Sequence, residues 1–316
     1  MSGVFPYVVL ALAMAVWGGA FPAIKYLVEK ISPGDLLILR FIPTSIIAIT
    51  WIFVSYRKDF RSLFPRYWPL FLFIGFLWLY CYHFVLNIGE TVLTAGVSGL
   101  IIATYPVFTV LISAAIGKES LTTGKIIGCM VAFAGSAFLT LAPSNTGISQ
   151  TVIPNSKWIG YAIFTFIAPI SAAVHTIIAR PYLIGENRGG VKIDPLFFTL
   201  AYMAPGGLMS LVLYRPLIAS EIASGDTVFW LSLGFLIFGC TLFSYIAWFK
   251  ALKNIEAGKV AIFSFMVPVF SLIYSKIFLN EAFTFQSIIG AVCIIAGIAV
   301  SNIGNDVIRN GRNSTR

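Results

Sequence analysis

The chain has 316 residues, of which 59% are hydrophobic and only 10% charged, against about 25% charged in an ordinary soluble domain. So few charged groups cannot cover a water-facing surface, which excludes a soluble globular protein and leaves a polytopic membrane protein. The net charge of +9 does not point to nucleic acid, because no dense basic tract interleaved with aromatic residues is present and basic residues collect in the cytoplasmic loops of membrane proteins.

A membrane-spanning helix needs about 20 mostly apolar residues. Ten such runs follow one another: 5–26, 34–56, 68–88, 93–116, 123–143, 157–180, 194–214, 228–250, 257–279 and 283–304. The start lacks a basic n-region, so residues 4–24 read as a retained first span. Cys81, Cys129, Cys240 and Cys293 all fall inside apolar runs with no C-x-x-C pairing, so neither a metal site nor a disulfide framework is expected. Lys and Arg set the orientation. The 2–3 loop holds Arg57, Lys58, Arg61 and Arg66, the 4–5 loop Lys118 and Lys125, the 6–7 loop Arg180, Arg188 and Lys192, the 8–9 loop Lys250 and Lys253, and the tail Arg309, Arg312 and Arg316. The opposite loops hold few, which predicts cytoplasmic termini.

One pattern occurs twice. Ala95-Gly96, Pro106-Val107-Phe108, Glu119, Gly128 and Gly135 return 162 positions later as Ala257-Gly258, Pro268-Val269-Phe270, Glu281, Gly290 and Gly297. The same offset pairs Pro33 with Pro195, Pro43 with Pro205 and Trp68 with Trp230. Lys25 and Arg180 pair at an offset of 155, which places a seven-residue insertion around Gly185–Gly190. The predicted organisation is a first five-helix repeat over 1–143, a connection at 144–156, a second repeat over 157–304 and a basic tail at 305–316. Five spans is an odd number, so the halves must cross the membrane in opposite senses, an inverted repeat of the kind many secondary transporters use.

These residues resemble the drug/metabolite transporter superfamily, specifically its ten-span EamA-type proteins. The likeness is carried by Trp17-Gly18-Gly19, Arg40-Phe41, the two Ala-Gly…Pro-Val-Phe stretches, Glu119 and Glu281 with their following glycines, and Ala251-Leu252-Lys253. It implies an all-α fold of two inverted five-helix repeats around a cavity lined mainly by spans 1, 3, 4, 6, 8 and 9. It also implies transport of amino acids or other small metabolites, often outward. The chain departs from the pattern in span 6, where Ser171-Ala172-Ala173-Val174-His175 stands in place of a mid-span Trp.

Ionisable residues inside a membrane are expensive and point to function. His83 in span 3 and His175 in span 6 are two, and either can relay a proton or bond a carboxylate. Tyr80 lies three residues before His83, which on an α-helix gives a shared face. The repeat matches His83 with Tyr245. Trp17, Trp78, Tyr105, Trp248 and Phe263 complete the candidate aromatic wall for a small-molecule substrate, with satisfied core packing as the structural alternative. Gly18, Gly19, Pro106 and Pro268 are hinge candidates. Each proline frees a carbonyl four residues earlier, at Ile102 and Ser264. Arg40 either snorkels to the outer surface, pairs with Asp35 or Glu90, or meets a substrate carboxylate. Lys259 and Lys25 either snorkel or receive an anion. Glu119 and Glu281 are read as caps on the turn into the next span. No G-x-S-x-G, H-E-x-x-H or Walker loop occurs, so no cofactor is implied. Secondary export of amino acids or related compounds is the leading expectation. Exchange of a phosphorylated or nucleotide-linked anion is one alternative, and a membrane enzyme or scaffold is another. The two histidines allow proton coupling, and facilitated diffusion stays open because no carboxylate is evident within a span.

Overall fold

The computed structural model describes residues 5–93, 95–140, 156–213, 225–279 and 284–303. Glu281, the connection through residue 155 and the basic tail lie outside these. The described chain is all-helical. Eight helical segments are long and apolar enough to span a bilayer: Phe5–Val28, Pro33–Ser55, Arg57–Glu90, Val97–Ala115, Ser156–Ile184, Pro195–Leu213, Thr227–Asn254 and Ala257–Tyr274. Two shorter apolar helices, Thr123–Phe138 and Phe285–Ser301, occupy the places of spans 5 and 10.

Local chemistry repeats with the 162-residue offset. Ser32 caps span 2 by accepting from the Asp35 amide at 3.2 Å, and Asp194 caps span 7 by accepting from Leu196 and Phe197 at 2.9 and 3.2 Å. Each cap is followed by a proline, Pro33 or Pro195, whose missing N–H costs nothing in the first helical turn. Spans 3 and 8 both contain a π-helical stretch, at Phe76–Tyr82 and Phe235–Phe243. Spans 4 and 9 both break just before their proline. Span 4 consists of helices Ala95–Ile102 and Tyr105–Ala115, and span 9 of Ala257–Phe263 and Met266–Leu279.

Several expectations are corrected. The basic 2–3 loop is a single residue, Tyr56, after which the helix runs on from Arg57. At 1.5 Å per residue the 34-residue segment Arg57–Glu90 is about 51 Å long, well over the roughly 30 Å hydrocarbon thickness. Its first turns therefore carry Lys58, Arg61 and Arg66 outside the apolar layer. The carbonyl of Ser264 is not left open by Pro268, because the Val267 amide takes it at 3.0 Å in a tighter i+3 turn. Glu119 does not cap its own turn. Thr122 does that, accepting from the Lys125 amide at 3.2 Å. The Glu119 carboxylate instead reaches the other half of the chain, where it accepts from the Ala257 amide at 2.6 Å and the Gly258 amide at 3.1 Å. Lys125, only 1% exposed, joins it to Glu256 at 3.1 and 2.9 Å. This cluster stabilises the first amides of span 9, which face a helix end with no partners of their own.

At the other end of the bundle, Asp226 receives Lys30 at 2.6 Å and Tyr26 at 2.8 Å, joining span 1 to the start of span 8. The Lys30 hydrogen bond, with the Phe229 amide, holds the Asp226 carboxyl down to about 2. Spans 4 and 9 begin at opposite ends, span 4 just after Glu90 and span 9 on Glu119, as an inverted repeat requires.

The repeated glycines are where the last spans of the two halves touch. A Cβ on Gly128 would lie 2.6 Å from the Ser301 amide nitrogen, and one on Gly135 would lie 2.7 Å from the Gly290 carbonyl oxygen. These are backbone atoms and cannot move aside, so spans 5 and 10 approach as closely as small residues allow. Gly18 does the same for span 1, with Phe270 Cβ of span 9 at 2.8 Å from its absent side chain. Gly128→Val is expected to destabilise the protein by about 1–3 kcal/mol through overpacking, read as a lower melting temperature in detergent, whereas Gly160→Ala, where a Cβ meets nothing within 4 Å, leaves it unchanged.

Candidate functional site

Buried rings from both halves meet at the middle of the bundle. The π-turn in span 3 determines which rings point inward. It widens the helix, so Trp78 and Tyr82 stack at 4.7 Å between centroids, and Trp78 lies 6.3 Å from His83. Tyr80 is carried elsewhere. It stacks on Phe76 at 5.9 Å and lies tilted against Phe84 at 5.4 Å, and Phe76 is exposed on the bundle surface. The shared face expected for Tyr80 and His83 assumed 3.6 residues per turn, which a π-helix does not have.

A π-turn also frees carbonyls. In span 8 Thr241 and Ser244 take two of their own span's, Leu236 O and Gly239 O, at 2.7 and 3.0 Å, and one in each π-helix is taken by the opposite half. The Trp17 indole N–H donates to Cys240 O in the span 8 π-helix at 2.9 Å. Ser171 Oγ donates to Leu77 O in the span 3 π-helix at 2.5 Å. Trp17 and Ser171 thus fill symmetric places in spans 1 and 6, so the serine beside Ala172 does the bonding work for which span 6 has no tryptophan. Trp17 also packs 5.5 Å from both Tyr245 and Trp248.

Two chemically distinct poles result. At one, Arg40 is buried at 3% exposure. It does not snorkel and pairs with neither Asp35 nor Glu90. Its Nε donates to Thr241 Oγ1 at 2.8 Å and its Nη1 lies 3.4 Å from His83 Nδ1. An arginine has only donors, so His83 Nδ1 accepts and the ring proton sits on Nε2. From there it donates to Tyr245 Oη at 2.5 Å. The Tyr245 hydroxyl proton is then free to donate onward. Two of the five guanidinium N–H groups are used, and three have no acceptor among the described residues. No carboxylate among the described residues forms an ion pair with Arg40. The span 2 residue thus enters the centre, although the resemblance implied that span 2 stands apart from the cavity.

At the other pole, His175 stacks on Trp78 at 4.6 Å, with the edges of Tyr202 and Phe249 at 5.5 and 5.3 Å. Both His175 nitrogens, Trp78 Nε1, Trp248 Nε1 and Tyr202 Oη are buried without a hydrogen-bond partner among the described residues. Buried polar atoms are nearly always satisfied, so a group of unsatisfied ones marks a place where water or a ligand belongs. Tyr105 borders this pole, its hydroxyl 3.0 Å from Thr176 Oγ1.

Other candidates lie away from the poles. Phe263 packs on Tyr7 at 5.4 Å. Lys259 is half-buried on the first turn of span 9, and Lys25 donates to the Glu90 carbonyl at 2.8 Å. Pro106 and Pro268 sit at the helix breaks, and Gly19 faces the Phe235 ring, 3.1 Å from the place of a side chain. The residues that sequence reasoning missed are Tyr82, Tyr202 and Thr241. Tyr202 was within reach, since it is the 162-offset partner of Arg40. Thr241 had no signal beyond lying one turn before Tyr245.

A ten-segment helical bundle of two inverted repeats, with broken helices around a buried polar centre, is a build that many membrane transporters share. The chain belongs to the EamA-like transporter family, whose model matches residues 4–141 and 159–303. It is 30% identical over 296 residues to an uncharacterized transporter of Archaeoglobus fulgidus, covering 93% of this chain and 97% of that one. It is 28% identical over 302 residues to a probable amino-acid metabolite efflux pump of Salmonella typhimurium, covering 95% and 96%. A crystal structure superposes with a TM-score of 0.76 at 17% identity, over 97% of this chain and 99% of that one, and shows the same fold. The protein is an integral membrane transporter.

Replacing a buried charge by an apolar group of similar size is often neutral or stabilising, because the desolvation cost disappears. Arg40→Met is therefore expected to keep or raise the melting temperature of the ligand-free protein. A loss of about 3 kcal/mol or more would instead mark Arg40 as a structural tie.

Proposed function

We propose that this transporter exports amino acids or closely related compounds, and that Arg40 receives the substrate carboxylate. The observation that carries this reading is a guanidinium buried in the bundle with no counter-ion among the described residues. It has three spare N–H donors, and the free hydroxyl proton of Tyr245 lies next to it. Planar, bidentate donors of this kind match a carboxylate. The aromatic pole of Trp78, His175, Trp248 and Tyr202 takes the rest of the molecule, with Tyr105 and Trp17 closing the chamber. The name of the Salmonella relative, a probable amino-acid metabolite efflux pump, supports the same class. Two cation–anion contacts, Lys30–Asp226 at one end and Lys125 with Glu119 and Glu256 at the other, are the natural gates. With both made, the chamber is occluded. Alternating access opens one at a time, the helix breaks at Gly19, Pro106 and Pro268 absorbing the bend. The excess of Lys and Arg in alternate loops supports cytoplasmic termini and a cytoplasmic Glu119 gate, and the export reading goes with a bacterial-type inner membrane.

A phosphorylated or nucleotide-linked substrate fits less well. Phosphate sites use convergent cations, and Arg40 stands without a second one, since Lys25 and Lys259 are placed elsewhere.

The test is counterflow in liposomes with radiolabelled L-leucine, L-phenylalanine, L-methionine and L-threonine, against glycerol 3-phosphate and a nucleotide sugar. At least one amino acid is expected to exchange and the phosphorylated compounds are not. Arg40→Gln is expected to lower amino-acid exchange by about tenfold or more, the worth of a charge-assisted hydrogen bond. Exchange of a phosphorylated compound alone, or an unchanged rate in Arg40→Gln, would overturn the reading.

A further inference from the structure

Glu90 has no part in the chamber described above, yet it is one of the most unusual groups in the molecule. It ends the helix His83–Glu90, is 0% exposed, and both carboxyl oxygens lack a hydrogen-bond partner among the described residues. Lys25 lies beside it but spends its short contact elsewhere, donating to the Glu90 backbone carbonyl at 2.8 Å and pairing with exposed Glu29 at 3.7 Å. A carboxylate buried without a hydrogen bond or a close cation is among the costliest groups a protein can hold, and a bound proton removes that cost.

Its position matters as much as its burial. His83, Asn87 and Glu90 follow at spacings of four and three, so they share one face of the helix. All three are buried, at 4%, 2% and 0% exposure. Asn87 Oδ1 also lacks a partner among the described residues. This polar line covers about 10 Å, at 1.5 Å per residue. It runs from the Arg40–His83–Tyr245 pole to the end of span 3, where Thr91 is exposed. The helices packed against this one carry Lys25 and Glu29 in span 1, Asp35 and Arg40 in span 2, Tyr82 in the π-turn, and Lys157, Tyr161 and His175 in span 6. Lys25 and Tyr82 are the two that interact electrostatically with Glu90.

We propose that Glu90 is the proton-binding group that couples export to the proton gradient. The proposal rests on the export reading. After substrate leaves on the outer side, the empty protein must pass back through the sealed state. In that empty state nothing offsets the Glu90 carboxylate, so it takes up a proton from the outer side, Glu–COO⁻ plus H⁺ giving Glu–COOH. It releases that proton toward the chamber and the cytoplasm when the inner side opens. In the loaded crossing the ammonium group of the substrate, directed along the His83–Asn87 face from the carboxylate on Arg40, offsets the Glu90 charge, and Glu90 crosses without a proton. One proton moves inward as one substrate moves outward, and no other reactant is needed.

Two measurements on the full-length protein test it. The first needs no substrate. Infrared difference spectra of the purified protein between acid and alkaline pH are expected to show the carbonyl stretch of a protonated carboxyl. That band disappears in Glu90→Gln and is retained, shifted, in Glu90→Asp. The second uses liposomes loaded with a pH-sensitive dye and driven by a gradient of the amino acids named above. Glu90→Gln is expected to lower substrate-driven proton flux by about tenfold or more while counterflow stays within about threefold. Counterflow uses only substrate-loaded crossings and needs no proton. Absence of a titrating Glu90 band overturns the proposal, as does undiminished proton flux in Glu90→Gln. Failure of the wild-type protein to exchange any of the amino acids sinks the substrate reading instead. The infrared result then decides on its own whether Glu90 binds the proton.

Discussion

Hydrocarbon offers no hydrogen bonds, so each backbone group freed by a break in a membrane helix must find its partner inside the protein. This chain breaks or widens many of its spans, and the two halves supply each other's missing partners. Trp17 of the first half takes Cys240 O of the second, and Ser171 of the second takes Leu77 O of the first. Glu119 of the first half receives the opening amides of span 9. The breaks that allow a transporter to bend are therefore also the points at which its repeats are bonded together. Some freed carbonyls are satisfied within their own span, by Thr241, Ser244 and the Val267 amide, and the rest of these contacts come from the opposite half.

The same exchange builds the centre. Because the π-turns point Trp78, Tyr82 and Tyr245 inward, rings from the two halves interlock, and Arg40 is the charge that sits among them in the described residues. Buried charge without a counter-ion is a cost that packing does not repay. Among the described residues nearly every other charged side chain has a partner or reaches the edge, which sets this centre apart from an ordinary packed core. Glu90, at the far end of the same polar line, has the opposite sign and the same lack of a close partner. Arg40 sits against His83 at one end of this helix face, and Glu90 lies about 10 Å further along it from His83, by the rise per residue. One has the chemistry to hold an anion and the other to hold a proton.

Much of the fold was legible in the sequence because its signals are long-range and redundant. Ten apolar runs, a 162-residue offset and an odd number of spans per half leave little freedom. The repeated glycines read as punctuation in the sequence and prove to be the contact between spans 5 and 10. The site was legible only in part. Trp17, Trp78, His83, Tyr105, His175, Tyr245 and Trp248 come together at the centre, since bulky polar-tipped rings inside spans have few other places to go. Tyr80 and Phe263 do not, because side-chain direction depends on the local winding of the helix, and nothing in the residues announces a π-turn. Arg40 was undervalued because an arginine six residues into a span can snorkel, pair with Asp35 or Glu90, or meet a substrate, and only the packing of span 8 against span 2 shows that it does neither of the first two. Glu90 was read as a loop residue because an apolar-run reading ends span 3 at residue 88, two residues short of the end of the helix.

The central claim is that Arg40 holds the substrate carboxylate, and one thermodynamic cycle tests it most directly. Affinities for L-leucine and for leucinol, which lacks the carboxylate, are measured calorimetrically on the wild-type protein and on Arg40→Gln. If Arg40 binds the carboxylate, its removal from the ligand weakens binding to the wild-type protein by about tenfold or more and changes binding to Arg40→Gln little, a coupling of about 1.4 kcal/mol or more. Equal losses in both proteins would show that the carboxylate is bound elsewhere and would contradict the account.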